Sequence, residues 1–354
     1  IAEAGVNHNG SRKMAFDLVD VAVKSGADAV KFQTFKAEDL ATKDTEKAEY
    51  QKRTTDILET HFEMLKRLEL SHDLHSDLAD YCKNKKIEFL SSAFDLDSLD
   101  FLVSKLKLKK LKIPSGEITN APLLLAHAKT GCNLILSTGM STLKEVEEAL
   151  GVLAFELTND NTIKPSRVSF QKAYLSEKGK ILLKEKVITL HCTTEYPAPE
   201  SEINLNAMFA LKDAFGLKVG YSDHSKGIAV PIAASAMGAV LIEKHFTLDK
   251  SMSGPDHSAS LNPNELCKMV ESIRIIEKAM GNGIKEPTPS ELKIKLIARK
   301  SLIATKYIKQ GEAFSEENVS IKRPGGGISP MEYWNVIGKV APYDIEQSSL
   351  IVYV

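Results

Sequence analysis

Two lysines, several serines and two histidines recur in this chain at one kind of position, the polar end of a short apolar run. Lys31 stands near the end of Ala29–Gln33 and Lys112 near the end of Lys109–Ile113; Ser115, Ser137 and Ser222 lie at or just past the ends of such runs. An ammonium supplies a compact positive charge and a hydroxyl supplies a donor. Together they describe a cradle for a phosphate or carboxylate, helped by backbone N–H groups where helices begin. A single lysine at a sheet edge commonly does no more than reach water with its tip. Two on separate runs, beside Ser115-Gly116 and Ser137-Thr138-Gly139, point to one anion site. His224 and His245 end the seventh and eighth runs. Two neutral imidazoles on neighbouring strands can share one divalent cation, and such a set suits Mn²⁺ or a similar ion better than a closed zinc site. Glu3 and Glu117 are placed at the first and fourth strand ends, and Asp256 in the loop Ser253-Gly254-Pro255-Asp256-His257. Carboxylates there can ligate, activate water or carry a proton. Asn9 is read as a helix cap and His8 is given no catalytic role. His61, His72, His75, His127 and His191 are read as exposed helix faces or a strand position without a visible partner.

The elements that must carry these groups follow from the alternation of short apolar runs with amphipathic stretches. The expected strands are Ile1–Glu3, Ala29–Gln33, Glu88–Ser91, Lys109–Ile113, Leu134–Ser137, Val187–His191, Lys218–Ser222 and Val240–His245. Helical stretches such as Lys13–Lys24, His72–Lys83, Leu143–Phe155 and Ile228–Ala236 separate them. Strands alternating with helices imply parallel pairing, and eight units close a (β/α)₈ barrel. Polar residues at eight strand ends fit the C-terminal mouth, where such barrels do chemistry. Ile1-Ala2-Glu3 reads as a strand already under way, so native residues are expected before it. Glu156–Lys186, with weak helical signal around Ser169–Leu175, is expected to be a surface elaboration before the sixth strand. The barrel domain is assigned to 1–280, a linker to 281–295 around Pro287-Thr288-Pro289, and a small, mainly β domain to 296–354. A domain that small is expected to dock on a barrel.

Composition narrows the function classes. With 46 Lys+Arg against 47 Asp+Glu the formal net charge is -1, which gives no reason to expect nucleic acid or a membrane surface as partner. Cys82, Cys132, Cys192 and Cys267 show no disulfide or zinc spacing. No apolar run reaches membrane-spanning length and no signal-like segment stands at the start, so the expected location is cytoplasmic.

At these residues the chain resembles the sialic acid synthase family, with an antifreeze-like (SAF) domain at its C-terminal end. The markers are Ile1-Ala2-Glu3-Ala4-Gly5 with Asn7-His8-Asn9-Gly10, Val30-Lys31-Phe32-Gln33-Thr34, Lys112-Ile113-Pro114-Ser115-Gly116-Glu117, Ser137-Thr138-Gly139-Met140, Tyr221-Ser222-Asp223-His224 and Glu243-Lys244-His245-Phe246-Thr247. The resemblance implies a transferase that condenses phosphoenolpyruvate with N-acetylmannosamine, giving N-acetylneuraminic acid and phosphate. The alternative it allows is a legionaminic acid synthase using 2,4-diacetamido-2,4,6-trideoxymannose. It implies Lys31, Lys112, Ser115, Ser137 and Ser222 as the phosphoenolpyruvate set, and His224 and His245 as ligands of Mn²⁺ or Mg²⁺. It places Glu3, Gln33, Glu117, Tyr196 and Asp256 near the sugar and the reacting carbons. Arg323 corresponds to an arginine that the small domain inserts into the partner's site in a domain-swapped homodimer. In Cys192-Thr193-Thr194-Glu195-Tyr196, Thr194 stands where some members have Asn. A Schiff-base aldolase or a non-catalytic ice- or glycan-binding protein are the competing classes; the first needs a catalytic lysine and no metal.

Overall fold

The computed structural model describes residues 1–56, 58–158 and 162–353. The chain divides into two compact units, Ile1–Met280 and Gly281–Val354. In the first, the short apolar runs form strands β1 (Ala2–Gly5), β2 (Ala29–Thr34), β3 (Glu88–Ala93), β4 (Lys110–Ile113), β5 (Asn133–Ser137), β6 (Val187–Cys192), β7 (Lys218–Asp223) and β8 (Ile242–His245). Each pairs in parallel with the next, and β1 also pairs with β8, Glu3 opposite His245, so the sheet closes into an eight-stranded barrel. The (β/α)₈ expectation and the strand order both hold.

Alternation along each strand decides what faces where. Ala2, Val30, Phe32, Phe89, Leu111 and Leu136 pack outward into the apolar layers under the helices. The opposite parity turns Glu3, Lys31, Gln33, Ser92, Lys112 and Ser137 towards a common cavity. The helices start where local chemistry satisfies their free N–H groups. Ser11 caps Arg12–Lys24 by accepting from the Met14 amide, and Ser71 caps His72–Lys85. The cap expected at Asn9 is therefore two residues later. Asn9 instead adopts φ 49°, a left-handed turn that Asn tolerates, and its amide donates to the Ser253 carbonyl.

Glu156–Lys186 is more regular than its polar sequence implies. The helix Leu143–Thr158 is followed by Arg167–Leu175 and Glu177–Lys186, hinged at Ser176; residues 159–161 lie outside the described residues. Phe170 packs edge-on against Phe155 at 5.3 Å between ring centroids, which anchors the added helices.

In the second unit, β9 (Ser301–Ala304) and β10 (Val319–Lys322) form an antiparallel pair. Leu302, Ile308, Phe314, Val319, Val336, Ile345 and Ile351 fill its core. Part of the stretch read as linker is helix: Pro289–Ala298 starts at a Thr288–Glu291 capping box. The Pro289 signal had a second meaning, because proline suits the first helical turn, where no N–H partner is needed.

Candidate active site at the barrel mouth

A cavity of about 240 Å³ opens at the strand ends. Its floor is a buried chain of alternating charges. Lys31 Nζ lies 2.8 Å from Glu3 Oε2 and 3.8 Å from Glu243 Oε2, while Lys112 Nζ donates to Glu243 Oε1 at 3.0 Å. Lys31 also donates to Ser92 Oγ and Ser222 Oγ donates to Glu243 Oε1, each at 3.0 Å. Parallel register produces this convergence: Glu3 is opposite Lys31, Ser92 opposite Lys112, and Ser222 opposite Glu243.

Burial and charge then compete. Burial alone would raise the Glu243 carboxyl, but the Lys112 and Lys31 ammoniums hold it well below the usual carboxylate range. Glu3 goes the other way: burial pushes it to about 7 although Lys31 opposes the shift. For Lys31, burial disfavours the charge, yet Glu243 and Glu3 outweigh it and the ammonium is retained. At the mouth, burial raises the Asp256 carboxyl to about 7. An anion entering this site meets the Lys31 and Lys112 ammoniums, the ionised Glu243 between them, and two carboxyls, Glu3 and Asp256, that can be neutral near pH 7. Ser137 Oγ is buried and has no partner among the described residues, so a ligand oxygen would satisfy it. Ser115 Oγ accepts from the Gly139 amide at 3.0 Å and lies 3.1 Å from Cys192 Sγ.

The two imidazoles face each other with ring centroids 5.6 Å apart. Burial lowers His224 to about 4 and, with His224 beside it, His245 well below its ordinary value, so both rings are neutral, the form that ligates metals. His224 Nδ1 is engaged with the Thr193 carbonyl at 2.6 Å, and Nε2 has no hydrogen-bond partner among the described residues. His245 Nδ1 is buried with no hydrogen-bond partner among the described residues, 4.0 Å from Asp256 Oδ2. Among the described residues no three His, Cys, Asp or Glu side chains form a ready cage. The donors therefore fit an ion that takes its other ligands from water or substrate. Gly5, at φ 51°, makes room for the His245 ring: a Cβ there would lie 3.0 Å from Cε1.

Tyr196 stacks on the His224 ring at 4.1 Å and meets His245 edge-on at 5.5 Å; Tyr50 lies against it at 5.1 Å. Tyr50 comes from the helix Glu49–Thr54, which is tied to the Asp256 loop by the Gly254 amide donating to the Thr54 carbonyl. Gln33 also lines the cavity.

One residue expected at the mouth is placed elsewhere. Glu117 is not at the β4 end: Pro114 stops the strand, and the turn Ser115–Glu117 brings its carboxylate to the Asn120 amide at 2.7 Å, away from the cavity lining. Arg323 belongs to the second unit, exposed, with Nε donating to the Ala298 carbonyl. The bland histidines also need correction. His75 and His127 are buried, not exposed; His75 bridges the Ser71 and Gln33 carbonyls, and His127 Nδ1 bonds the Leu123 carbonyl. His191 has a partner, the Ile203 carbonyl at 2.7 Å.

Glu243, Ser92 and Tyr50 were not among the expected site residues. Glu243 had a legible signal, since it stands two residues before His245 and so on the same strand face. Ser92 had the same signal on β3. Tyr50 had none, because it reaches the mouth on an excursion between β2 and β3. A larger cavity of about 790 Å³ opens beside the β5 and β6 ends, but neither lysine nor either mouth histidine lines it.

Comparison with known proteins finds a family match for each part of the chain. The NeuB family model matches residues 18–285, and the SAF domain model matches residues 299–353. The chain is 50% identical over 351 residues to an N,N'-diacetyllegionaminic acid synthase of Campylobacter jejuni, covering 99% of this chain and 98% of that one. It is 47% identical to an enzyme of the same name from Legionella pneumophila, covering 96% and 88%. A crystal structure of N-acetylneuraminic acid synthetase from Leptospira borgpetersenii, in complex with citrate, aligns at TM-score 0.66 and 33% identity, covering 83% of this chain and 88% of that one.

Proposed function

The chain belongs to the NeuB family and carries a SAF domain, and from that membership we propose that it condenses phosphoenolpyruvate with 2,4-diacetamido-2,4,6-trideoxymannose, releasing phosphate and forming N,N'-diacetyllegionaminic acid. This choice of acceptor replaces N-acetylmannosamine, the sugar expected first from sequence. Relatives sharing 50% and 47% identity carry the legionaminic name. The cavity lining agrees with a less hydroxylated sugar: Val6, Met64, Leu65, Leu68 and Phe94 make an apolar wall beside the polar floor. Such a wall suits a methyl group and an acetamido methyl.

The observation that carries the reaction class is the convergence of Lys31, Lys112, the strand-end serines and two neutral imidazoles in one cavity. In the reaction, C3 of phosphoenolpyruvate attacks the open-chain sugar's aldehyde carbon, and the aldehyde oxygen takes a proton. Water adds to the electron-poor C2, the C2–O bond to phosphate breaks, and the remaining hydroxyl loses its proton to give the ketone. Lys31, Lys112 and the hydroxyls of Ser115, Ser137 and Ser222 hold the phosphate and carboxylate charge throughout. Glu3 and Asp256, raised to about 7, are the groups able to hold or yield a proton at neutral pH. Tyr196 and Gln33 bound the acceptor. His224 and His245 would hold a divalent ion, Mn²⁺ or Mg²⁺, which would supply Lewis-acid polarisation of the aldehyde. The working unit is a homodimer in which Arg323 of one chain completes the other's site, its planar fork suited to an acyl carbonyl. All four cysteines are free, in keeping with a reducing cytoplasm.

Purified protein assayed with phosphoenolpyruvate and each sugar tests the reading. The diacetamido sugar should be the better substrate. N-acetylmannosamine should fall behind by about 10²-fold or more in kcat/KM, because it adds a hydroxyl against the apolar wall and also lacks the second acetamido group. Equal or better use of N-acetylmannosamine would return the acceptor to the simpler sugar.

A further inference from the structure

We propose that the buried Lys244–Asp223 pair, on the helix-facing side of the barrel, sets the spacing of His224 and His245, so that both members are positioning residues for the cation site. The inference rests on the two-histidine metal reading and adds residues that touch no substrate.

Asp223 and Lys244 are register partners across β7 and β8, and each is the chain neighbour of one of the histidines. Successive residues point to opposite faces, so the pair works from behind the site. Lys244 Nζ lies 2.6 Å from Asp223 Oδ2, and both side chains are 0% exposed. The same ammonium donates to the Ser225 carbonyl. One cation thus grips the residues on both sides of His224. Asp223 Oδ1 in turn accepts from the Tyr221 hydroxyl at 3.0 Å and the Ser225 amide at 2.9 Å. On the cavity side, the Thr193 carbonyl completes the hold on the His224 ring.

Stability alone is a poor reason for this arrangement. Burying an ion pair costs desolvation, and apolar replacements of similar volume are often neutral or stabilising. A fully bonded pair supplies direction, which packing alone does not. A metal site needs that direction, since its ligand distances tolerate only about 0.2 Å.

The test is Mn²⁺ titration of metal-free full-length protein, followed by the electron paramagnetic resonance signal of free Mn²⁺. The double variant Asp223→Asn/Lys244→Met keeps volume and removes both charges. It should lose about 10–100-fold in Mn²⁺ affinity, while phosphoenolpyruvate binding without metal and the unfolding temperature stay close to the parent's. A folded double variant with the parent's Mn²⁺ affinity overturns the proposal. If that variant does not fold, Tyr221→Phe removes one donor from Asp223 and should weaken Mn²⁺ several-fold; unchanged affinity overturns the proposal equally. His245→Ala is run alongside. If it binds Mn²⁺ as the parent does, the two-histidine reading has failed, and the positioning role with it.

Discussion

Lys112 and Glu243 show how much one contact can decide. Lys112→Met leaves a buried carboxylate with only Lys31, 3.8 Å away, as counter-charge. Breaking a buried pair from one side typically costs about 3–5 kcal/mol. Adding Glu243→Gln should recover most of that in thermal denaturation. Phosphoenolpyruvate affinity should not recover in the double variant. A charge-assisted contact is worth about 1.5–3 kcal/mol, so calorimetry should show about a tenfold loss or more, with less change for the sugar. Equal weakening of both substrates would place Lys112 outside the anion site. Glu3 makes a pH prediction. Its carboxyl titrates at 4.5 in the unfolded chain and about 7 in the fold. Between those values the native state holds more protons than the unfolded one, so stability falls as pH rises across the window. KM for phosphoenolpyruvate should rise as Glu3 ionises and faces the anion. Glu3→Gln should flatten the KM trend and cut the stability slope back to the part that Asp256, also raised to about 7, contributes; slopes left unchanged would remove Glu3 as a titrating group.

At the scale of elements, β1 shows why a short strand can matter more than its four residues suggest. It closes the barrel between β2 and β8, brings Glu3 to Lys31 and ends at Gly5 under the His245 ring. Gly5→Ala would force a non-glycine residue to φ 51° and press a methyl against that ring. The backbone penalty is about 1–3 kcal/mol. The expected result is a barrel with native circular dichroism, a lower unfolding temperature and weakened Mn²⁺ binding. Native metal affinity in that variant would show that β1 and His245 are not coupled. The added helices Arg167–Leu175 and Glu177–Lys186 carry no comparable prediction, because nothing from them lines the 240 Å³ cavity.

For the whole molecule, the decisive matter is the second unit. No helix among the described residues is long and apolar enough to cross a membrane. The small unit has its own core, and Arg323 on it engages only Nε in a hydrogen bond among the described residues. Its outer N–H groups remain available for the acyl-carbonyl role proposed above. Arg323→Ala should therefore cost activity while Mn²⁺ binding stays intact. Mixed with a His245→Ala chain, it should regain activity that neither parent shows, since the heterodimer pairs one intact barrel with one intact arginine. Proven subunit exchange without recovered activity would show that Arg323 does not act across a dimer.

Periodicity made the barrel and most of its mouth readable before any coordinates. Eight apolar runs, each ending in a polar group, specify strands and a common end, because alternation along a strand is a local property of the chain. Lys31, Lys112, Ser137, Ser222 and His245 were visible on those terms. Capping misled where one residue had two local meanings, as at Asn9 and Pro289. What the sequence could not determine was distance between remote segments. Glu243 lies 131 residues from Lys112 yet takes its hydrogen bond, and Tyr50 arrives from outside the strand pattern. Proton affinities at the mouth were equally out of reach. Glu3 and Asp256 rise because neighbouring elements exclude water around them, and desolvation exists only once the chain has closed on itself.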